Sequence, residues 1–144
     1  MYTAEAHVTG GRLAGHGRTS DGLLEVNLRP PPELGGEGDG TNPEQLFAVG
    51  YAACFENALA AVARRRKLEV DDVEIDSKVM LVTGEERSFT IAVELAVTLP
   101  SIEGNAAAEL VEAAHKVCPY SNATRGNIDV TLTANGAPVE ACGG

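Results

Sequence analysis

Two spacings of apolar residues along the chain predict its secondary structure. Between residues 73 and 99 apolar and polar side chains alternate, which is typical of β-strands with one buried face. Between residues 41 and 67, and again between 105 and 117, apolar side chains recur every three or four positions, which is typical of helices. Short runs separated by glycine-containing turns predict further strands near the start. The predicted strands are residues 2–9, 12–18, 23–28, 73–81, 89–99 and 128–132.

The order of these elements is three strands, a long helix, two strands, a helix and a final strand, which predicts an α+β fold. We expect one domain over residues 1–144, with antiparallel sheets packed around the long helix. Residues 29–40 contain three consecutive prolines and several glycines and are predicted to form a flexible loop, and residues 136–144 a loose tail. The long helix is rich in alanine and apolar on more than one face. We therefore expect a second copy of the chain to cover it in a homodimer.

The long helix has a clear start and carries a cysteine in the middle of its apolar face. Thr41 or Asn42 supplies a capping side chain, Pro43 suits the first turn, and Glu44 carries a charge that the positive helix end favours. The helical pattern then continues to about residue 67, with Cys54 at the centre of one face. That face comprises Phe47, Gly50, Tyr51, Cys54, Ala58, Ala61 and Val62.

Composition and charge exclude several functional classes. The chain has 11 basic and 21 acidic residues, and its net charge of -10 would repel nucleic acid. The basic run at residues 64–67 lies at the predicted end of the long helix, where cations offset the negative helix end. The start of the chain has no signal-peptide pattern, and no apolar run reaches the ~18 residues of a membrane span. We expect a cytoplasmic protein that does not enter a membrane.

The histidines and cysteines do not form a metal-binding motif. His7, His16 and His115 are scattered, and the chain has no Cys-x-x-Cys pair, so we expect neither a metal site nor a cofactor. Three irregularly spaced cysteines also do not fit a secreted disulfide scaffold. The Gly-x-Ser-x-Gly motif of many serine hydrolases does not occur.

Two of the three cysteines are candidates for thiol chemistry. Cys54 has small residues one turn away on either side, which leaves space beside its sulfur. Cys118 ends the second helix directly before Pro119, where a less rigid backbone suits a thiol that must move towards a partner. Each can also be a small core residue, and Cys142, near the end of the chain, is expected to be a spectator. A buried thiol reacts only if a cation stabilises its thiolate, and the residues alone leave open which of the eight arginines does so.

Two longer motifs carry a resemblance to a known family. Residues 41–55 (TNPEQLFAVGYAACF) and residues 118–127 (CPYSNATRGN) resemble the organic hydroperoxide resistance proteins, the Ohr branch of the Ohr/OsmC family. The similarity extends to the turn at residues 18–22. The resemblance implies an intertwined homodimer with two active sites at the subunit interface. It also implies a peroxidase of the peroxiredoxin type that reduces alkyl and lipid hydroperoxides and is recycled by a dithiol, such as a lipoyl group.

The resemblance further implies roles for four residues. Matched by position, Cys54 attacks the hydroperoxide and becomes a sulfenic acid, Cys118 resolves it as a disulfide, and Arg18, paired with Glu44, activates Cys54. Glu44 and Cys54 are ten residues apart, which on a straight helix means a rise of ~15 Å. We therefore expect that the chain bends or breaks between residues 47 and 50, or that Arg18 changes partner during the cycle.

Two other functions remain open from the sequence. The chain can be an OsmC-like peroxidase with a different substrate preference, because the motif at the start of the long helix does not separate the branches. It can also be a non-catalytic module that binds an apolar ligand, with the cysteines as core residues. An apolar pocket expected near Phe47, Tyr51 and Phe55 fits either an alkyl hydroperoxide or such a ligand.

Overall fold

The structure is a computed structural model that describes residues 1–140, and the chain separates into two compact units. The units are Met1–Leu46 and Phe47–Gly144, and the boundary between them lies within the long helix. The organisation into a single domain stays a prediction.

The N-terminal unit contains an antiparallel sheet with strands β1 (Ala6–Thr9), β2 (Gly15–Thr19) and β3 (Glu25–Leu28) in that order. The strands are shorter than predicted, but each lies within or next to its predicted segment. Gly10 follows β1 and Gly22 lies between β2 and β3, and both have positive φ, 75° and 74°. Glycine adopts this conformation without a clash from a Cβ, so the two predicted turns form at these positions.

The segment between β3 and the long helix contains one short regular element. Pro32–Leu34 forms a turn of 3-10 helix. The two ends of the segment are joined by main-chain hydrogen bonds of 2.9 Å, from the Arg29 N–H to the Thr41 carbonyl and from the Thr41 N–H to the Asn27 carbonyl. The proline-rich and glycine-rich composition thus produces a closed loop rather than an extended linker.

The long helix, α1, spans Pro43–Arg65 without interruption. Asn42 caps it, because its Oδ1 accepts a hydrogen bond from the Gln45 N–H at 2.9 Å, which confirms one of the two predicted capping residues. Residues 47–50 are helical, so the break expected there is wrong. A single glycine in a helix interior costs only about 1 kcal/mol, and the burial of Tyr51 directly after Gly50 outweighs that cost.

The C-terminal unit contains a four-stranded sheet in the order β4 (Glu74–Thr83), β5 (Phe89–Thr98), β6 (Val130–Ala134) and β7 (Ala137–Val139). β4 and β5 form the predicted antiparallel hairpin, but β6 pairs with β5 in parallel. The expectation of purely antiparallel sheets is therefore wrong for this pair. A parallel pair needs a long crossover connection, and the segment between β5 and β6, which contains the second predicted helix, supplies it.

The sequence did not predict a short helix and a short strand of this unit. The second helix, α2 (Gly104–Val117), ends where predicted, but Pro119 then begins a further helix, α3 (Pro119–Thr124), because proline suits the first helical position. β7 lies within the predicted loose tail and pairs antiparallel with β6. The end of that tail, residues 141–144 with Cys142, lies outside the described residues.

The core of the C-terminal unit is formed by one face of α1, the sheet and α2. Tyr51, Phe55 and Leu59 of α1 are fully buried. By length and composition α1 is apolar enough to cross a membrane, a test that core helices of soluble proteins also pass, and 33% of its apolar stretch is buried. Much of α1 is therefore uncovered in a single chain. The other main core residues are Val93, Leu95, Val97, Leu110, Val111, Ala114 and Leu132.

Candidate active site

The structure brings together the two cysteines that the sequence singled out. Cys54 lies on α1, and Cys118 lies at the junction between α2 and α3. Their Sγ atoms are 3.5 Å apart, with the Cys118 thiol donating to Cys54, and both are free thiols. A pair at this distance forms a disulfide after a small movement of one sulfur.

The two thiols differ in burial. Cys118 is fully buried, whereas Cys54 is half-buried. Burial raises the pKa of the Cys118 thiol, and its contact with Cys54 raises it further, while the backbone N–H of Ser121 acts in the opposite direction. Cys118 is therefore a protonated donor at neutral pH, and Cys54 is the more accessible sulfur. This difference suits Cys54 to the first attack and Cys118 to the second.

The backbone at Cys118 explains its position. It is extended, with φ −62° and ψ 124°, because it ends α2 and precedes Pro119, the first residue of α3. Proline disfavours helical geometry in the residue before it. The Cys118 N–H still donates to the Ala114 carbonyl at 2.9 Å, and the Cys118 carbonyl accepts from the Asn122 N–H at 2.9 Å. The thiol thus lies on a single non-helical residue held between two helices.

A group of buried polar side chains lies beside Cys118. The Ser121 hydroxyl is 2.8 Å from the Tyr51 hydroxyl and 2.8 Å from His115 Nδ1. The Tyr51 hydroxyl is also 3.1 Å from Thr124 Oγ1. Sequence reasoning did not assign a role to Ser121, Thr124 or His115. Their spacing was a usable signal, because positions 115, 118, 121 and 124 follow one another at three-residue steps.

An aromatic cluster packs near the same segment of α1. Phe47, Tyr51 and Tyr120 form a triangle with ring centroids 5.7 to 5.8 Å apart. Tyr120 passes close to Gly50, where a Cβ would lie 3.3 Å from its hydroxyl. Of the aromatic residues near which an apolar pocket is predicted, Tyr51 and Phe55 are fully buried, whereas Tyr120, which the sequence did not single out, is 40% exposed. The pocket itself stays a prediction.

In the N-terminal unit the structure corrects the predicted arginine–glutamate pair. Glu44 is bound by Arg12, whose two terminal nitrogens donate to the carboxylate at 2.9 and 3.4 Å. Arg18 lies on β2 opposite Glu25 of β3, 4.0 Å from its carboxylate, and its side chain is 58% exposed. The Arg18–Glu44 pair is therefore wrong: the strand register gives Arg18 a different acidic partner, and Arg12 in the preceding turn reaches Glu44.

The Arg12–Glu44 pair has the character of a fixed charge pair. Burial raises the pKa of Glu44, but hydrogen bonding from Arg12, the main-chain N–H of Glu44 and the charge of Arg12 together hold the pKa below its ordinary value. Glu44 therefore stays ionised at neutral pH. A bidentate pair with an ionised carboxylate fixes the orientation of the guanidinium.

Within residues 1–140 the His, Cys, Asp and Glu side chains form no group of three or more that could hold a metal ion.

Comparison with known proteins places this arrangement in a family. A family model described as "OsmC-like protein" matches residues 36–133. The organic hydroperoxide resistance protein of Xanthomonas axonopodis pv. citri is 54% identical over 137 residues, which cover 92% of this chain and 94% of that protein. The chain belongs to the OsmC family, in its organic hydroperoxide resistance (Ohr) branch.

Two solved Ohr structures share the fold. The crystal structure of an organic hydroperoxide resistance protein from Legionella pneumophila is 51% identical and superposes with a TM-score of 0.89 over 93% of this chain and 97% of that one. That of OhrB from Bacillus subtilis is 46% identical, with a TM-score of 0.84 over 92% of this chain and 98% of that one. The predicted family and α+β fold class are confirmed. Membership in the Ohr branch implies a role in resistance to organic hydroperoxides and in the response to oxidative stress.

Proposed function

We propose that this chain is a cysteine-based peroxidase that reduces organic hydroperoxides to alcohols. The observation that carries the proposal is the thiol pair: a half-buried Cys54 whose sulfur lies 3.5 Å from the buried thiol of Cys118. In a non-catalytic binding module the two cysteines would serve only to fill the core, and that role does not require two free thiols in contact with each other. Membership in the Ohr branch gives the substrate class.

The reaction follows from the order of the two sulfurs. The Cys54 thiolate attacks the outer oxygen of the hydroperoxide, the O–O bond breaks, and the alkoxide leaves and takes a proton to become the alcohol. Cys54 is then a sulfenic acid. Cys118 attacks the Cys54 sulfur, the S–O bond breaks, and the hydroxyl leaves with the Cys118 proton as water. The resulting disulfide protects Cys54 from irreversible oxidation until a dithiol reduces it.

The activating cation in this proposal is Arg12. The family resemblance assigns activation of the first cysteine to an arginine paired with a glutamate, and the arginine paired with Glu44 in this chain is Arg12. Its guanidinium stays charged at all working pH values and would stabilise the thiolate and the charge on the departing alkoxide. Glu44 would fix its orientation. Arg18, which pairs with Glu25, has no part in this version of the site.

Substrate preference and reductant complete the proposal. The aromatic side chains of Phe47 and Tyr120 offer an apolar surface for the alkyl or lipid part of a hydroperoxide, at roughly 0.8 kcal/mol for each buried methylene. The reductant is a dithiol such as dihydrolipoamide or a lipoylated protein, because two thiols release the disulfide without leaving a mixed adduct. We place the reaction in the cytoplasm, where thiols are kept reduced.

The active form in this proposal is a homodimer. The apolar stretch of α1 is only 33% buried within one chain, and Val49 on that helix is 72% exposed. A second copy of the chain would remove this surface from water. Sedimentation equilibrium tests the proposal: a mass near twice 15.0 kDa is expected, and a mass of one chain at micromolar concentration would contradict it.

The function is tested by steady-state consumption of cumene hydroperoxide or a fatty-acid hydroperoxide with dihydrolipoamide as reductant. Cys54→Ser should abolish turnover, and Cys118→Ser should turn over slowly and accumulate over-oxidised Cys54. Cys142→Ser is the matched control and should keep wild-type activity. If the wild-type protein consumes no hydroperoxide but binds an apolar ligand equally well before and after Cys54→Ser, the peroxidase proposal is wrong. Faster consumption of hydrogen peroxide than of cumene hydroperoxide would favour an OsmC-like substrate preference.

A further inference from the structure

The buried polar group beside Cys118 has no part in the chemistry described so far. It consists of Tyr51, His115, Ser121 and Thr124, and each of these residues is almost completely buried, with His115 2% exposed. Buried hydroxyls and an imidazole are costly unless every hydrogen bond is made, so their arrangement needs a reason.

The hydrogen atoms available to the group define one direction of donation. Thr124 has a single hydroxyl hydrogen, which it donates to the Ser121 carbonyl at 3.3 Å, so towards Tyr51 it can only accept. Tyr51 then donates its hydrogen to Thr124 and accepts from Ser121. The single hydroxyl hydrogen of Ser121 is donated to Tyr51, so the Ser121 oxygen must accept a hydrogen bond from His115 Nδ1. The chain of donors therefore runs from His115 through Ser121 and Tyr51 to Thr124.

This order assigns the protonation of His115. Its Nδ1 must carry a hydrogen in order to donate to Ser121. Burial and the nearby charge of Arg125 lower the pKa of His115, so the ring is neutral at physiological pH. A neutral ring with a proton on Nδ1 has none on Nε2. His115 is therefore the Nδ1–H tautomer.

The hydrogen bonds of this group link the same two segments of the chain that carry the two sulfurs. Tyr51 comes three residues before Cys54 on α1, and Ser121 comes three residues after Cys118. The Tyr51–Ser121 hydrogen bond therefore joins the same two segments as the contact between the thiols, about one helical turn away from it. His115 lies on the α2 side of Cys118 and donates across the junction to Ser121 on the α3 side. The side chain of Arg125 adds a second tie, because it donates to the His115 carbonyl and to Asn122 Oδ1.

We propose that His115 is a positioning residue for the resolving thiol: it holds the junction of α2 and α3 in place through Ser121 and Tyr51, so that Cys118 stays within reach of Cys54. The proposal rests on the proposed peroxidase function and names a residue that serves its second step. In that step the sulfur of Cys118 bonds to that of Cys54 while the Cys54 S–O bond breaks and water leaves. The sulfurs must close from 3.5 Å to about 2.05 Å.

Position matters to this step because Cys118 lies on one extended residue between two helices. Small misplacements of a reacting group cost up to about a hundredfold in rate, since near-attack geometry is lost. The same anchor holds the Ser121 backbone N–H, which stabilises the thiolate that Cys118 must become. Loss of the anchor should therefore slow disulfide closure and leave the reaction of Cys54 unchanged.

A matched pair of variants tests this. His115→Leu has a similar shape without the donor, and His115→Asn keeps an N–H donor close to the Nδ1 position without a titrating ring. Both are made with Cys142→Ser, so that Cys54 and Cys118 are the only thiols in the chain. Reduced protein is mixed with the aromatic disulfide dithiobis(nitrobenzoate). The first aromatic thiolate is released when Cys54 reacts, and the second when Cys118 displaces the reagent from Cys54.

The expected result is a selective loss of the second release. In His115→Leu it should slow about tenfold while the first stays within about twofold of wild type. His115→Asn should recover most of the rate. Equal second-release rates in the wild type and both variants would overturn the proposal, and so would equal slowing of both releases in His115→Leu. Because no peroxide is used, these outcomes are independent of whether the wild-type protein reduces hydroperoxides.

A second variant and a spectroscopic measurement test the proposal even if His115→Leu does not fold. Tyr51→Phe removes the acceptor of the Ser121 hydrogen and should slow the second release by about threefold. Nitrogen NMR of labelled histidine should show a protonated Nδ1 and an unprotonated Nε2 for His115 in the wild-type protein. An Nε2–H tautomer would contradict the donor order and with it the proposal.

Discussion

The thiol of Cys118 points at the sulfur of Cys54 from 3.5 Å, and the donor is the more buried of the two. This order predicts different reactivity towards small alkylating agents. Iodoacetamide should modify Cys54 at least about tenfold faster than Cys118, because Cys118 is fully buried and its pKa is raised. Peptide mass spectrometry after short exposure measures both rates. In denatured protein the two rates should become equal, and faster labelling of Cys118 in the folded protein would contradict the order.

The arginine that activates Cys54 can be identified by comparing two substitutions. Arg12→Gln should lower the second-order rate constant for hydroperoxide by about a hundredfold, because an oriented cation is lost from the reaction. Arg18→Gln, which removes an exposed side chain beside Glu25, should stay within about twofold of wild type. Stopped-flow measurement of Cys54 oxidation gives both constants. The opposite ranking would restore Arg18 to the site.

The hydroxyl of Tyr51 should contribute to stability as well as to the position of Cys118. Tyr51→Phe leaves the Ser121 hydroxyl without its acceptor and Thr124 without a donor in a fully buried place. The free energy of unfolding should fall by about 1 to 2 kcal/mol, as measured by urea titration. Tyr120→Phe is the matched control: Tyr120 is 40% exposed, and its loss should stay within about 0.5 kcal/mol.

Stability should depend on pH through His115. Burial and Arg125 lower the pKa of His115 in the folded protein, whereas in the unfolded chain it is about 6.5. The unfolded state therefore binds more protons below that pH, and the contribution of neutral His115 is complete above about 6.5 and is lost as the pH falls.

The measurement compares wild type with His115→Asn between pH 7.5 and 5, values chosen to bracket the histidine pKa of about 6.5. The wild-type free energy of unfolding should fall more steeply, by up to about 1.4 kcal/mol per pH unit, because only the wild type has this group to protonate. Parallel curves for the two proteins would show that His115 keeps an ordinary pKa in the folded state.

Local patterns predicted most of the fold. Alternation located β4 and β5, and the capping residue at Asn42 marked the start of α1. Pairing between distant segments was predicted less well. Strand register and turn geometry determine both the parallel pairing of β6 with β5 and the partner of Glu44. Neither can be read from the spacing of apolar residues within one segment. The family resemblance, matched by position, implies Arg18, whereas in the structure Arg12 reaches Glu44 from the turn after β1.

In the candidate site, too, features of local sequence were predicted and contacts between distant residues were not. Cys54 stands out because small residues lie one turn away on either side, and Cys118 because it ends a helix directly before Pro119. The structure brings their sulfurs together. His115 did not stand out, because a single histidine near the end of a helix is common. Its role appears only when the hydrogens on Ser121, Tyr51 and Thr124 are assigned one by one. Chemistry carried by a network of neutral groups leaves little trace in sequence periodicity.

The parallel pairing of β6 with β5 has a consequence for newly made protein. Cys118 lies on the crossover between these strands, so it is synthesised after Cys54 and before β6 can pair with β5. Parallel pairing across such a separation is a slow event. A chain still on the ribosome therefore contains Cys54 before Cys118 has been made. In the proposed peroxidase, an oxidant that reaches Cys54 at that stage would oxidise it to the irreversible sulfinic or sulfonic acid, because no second thiol is present to form the disulfide.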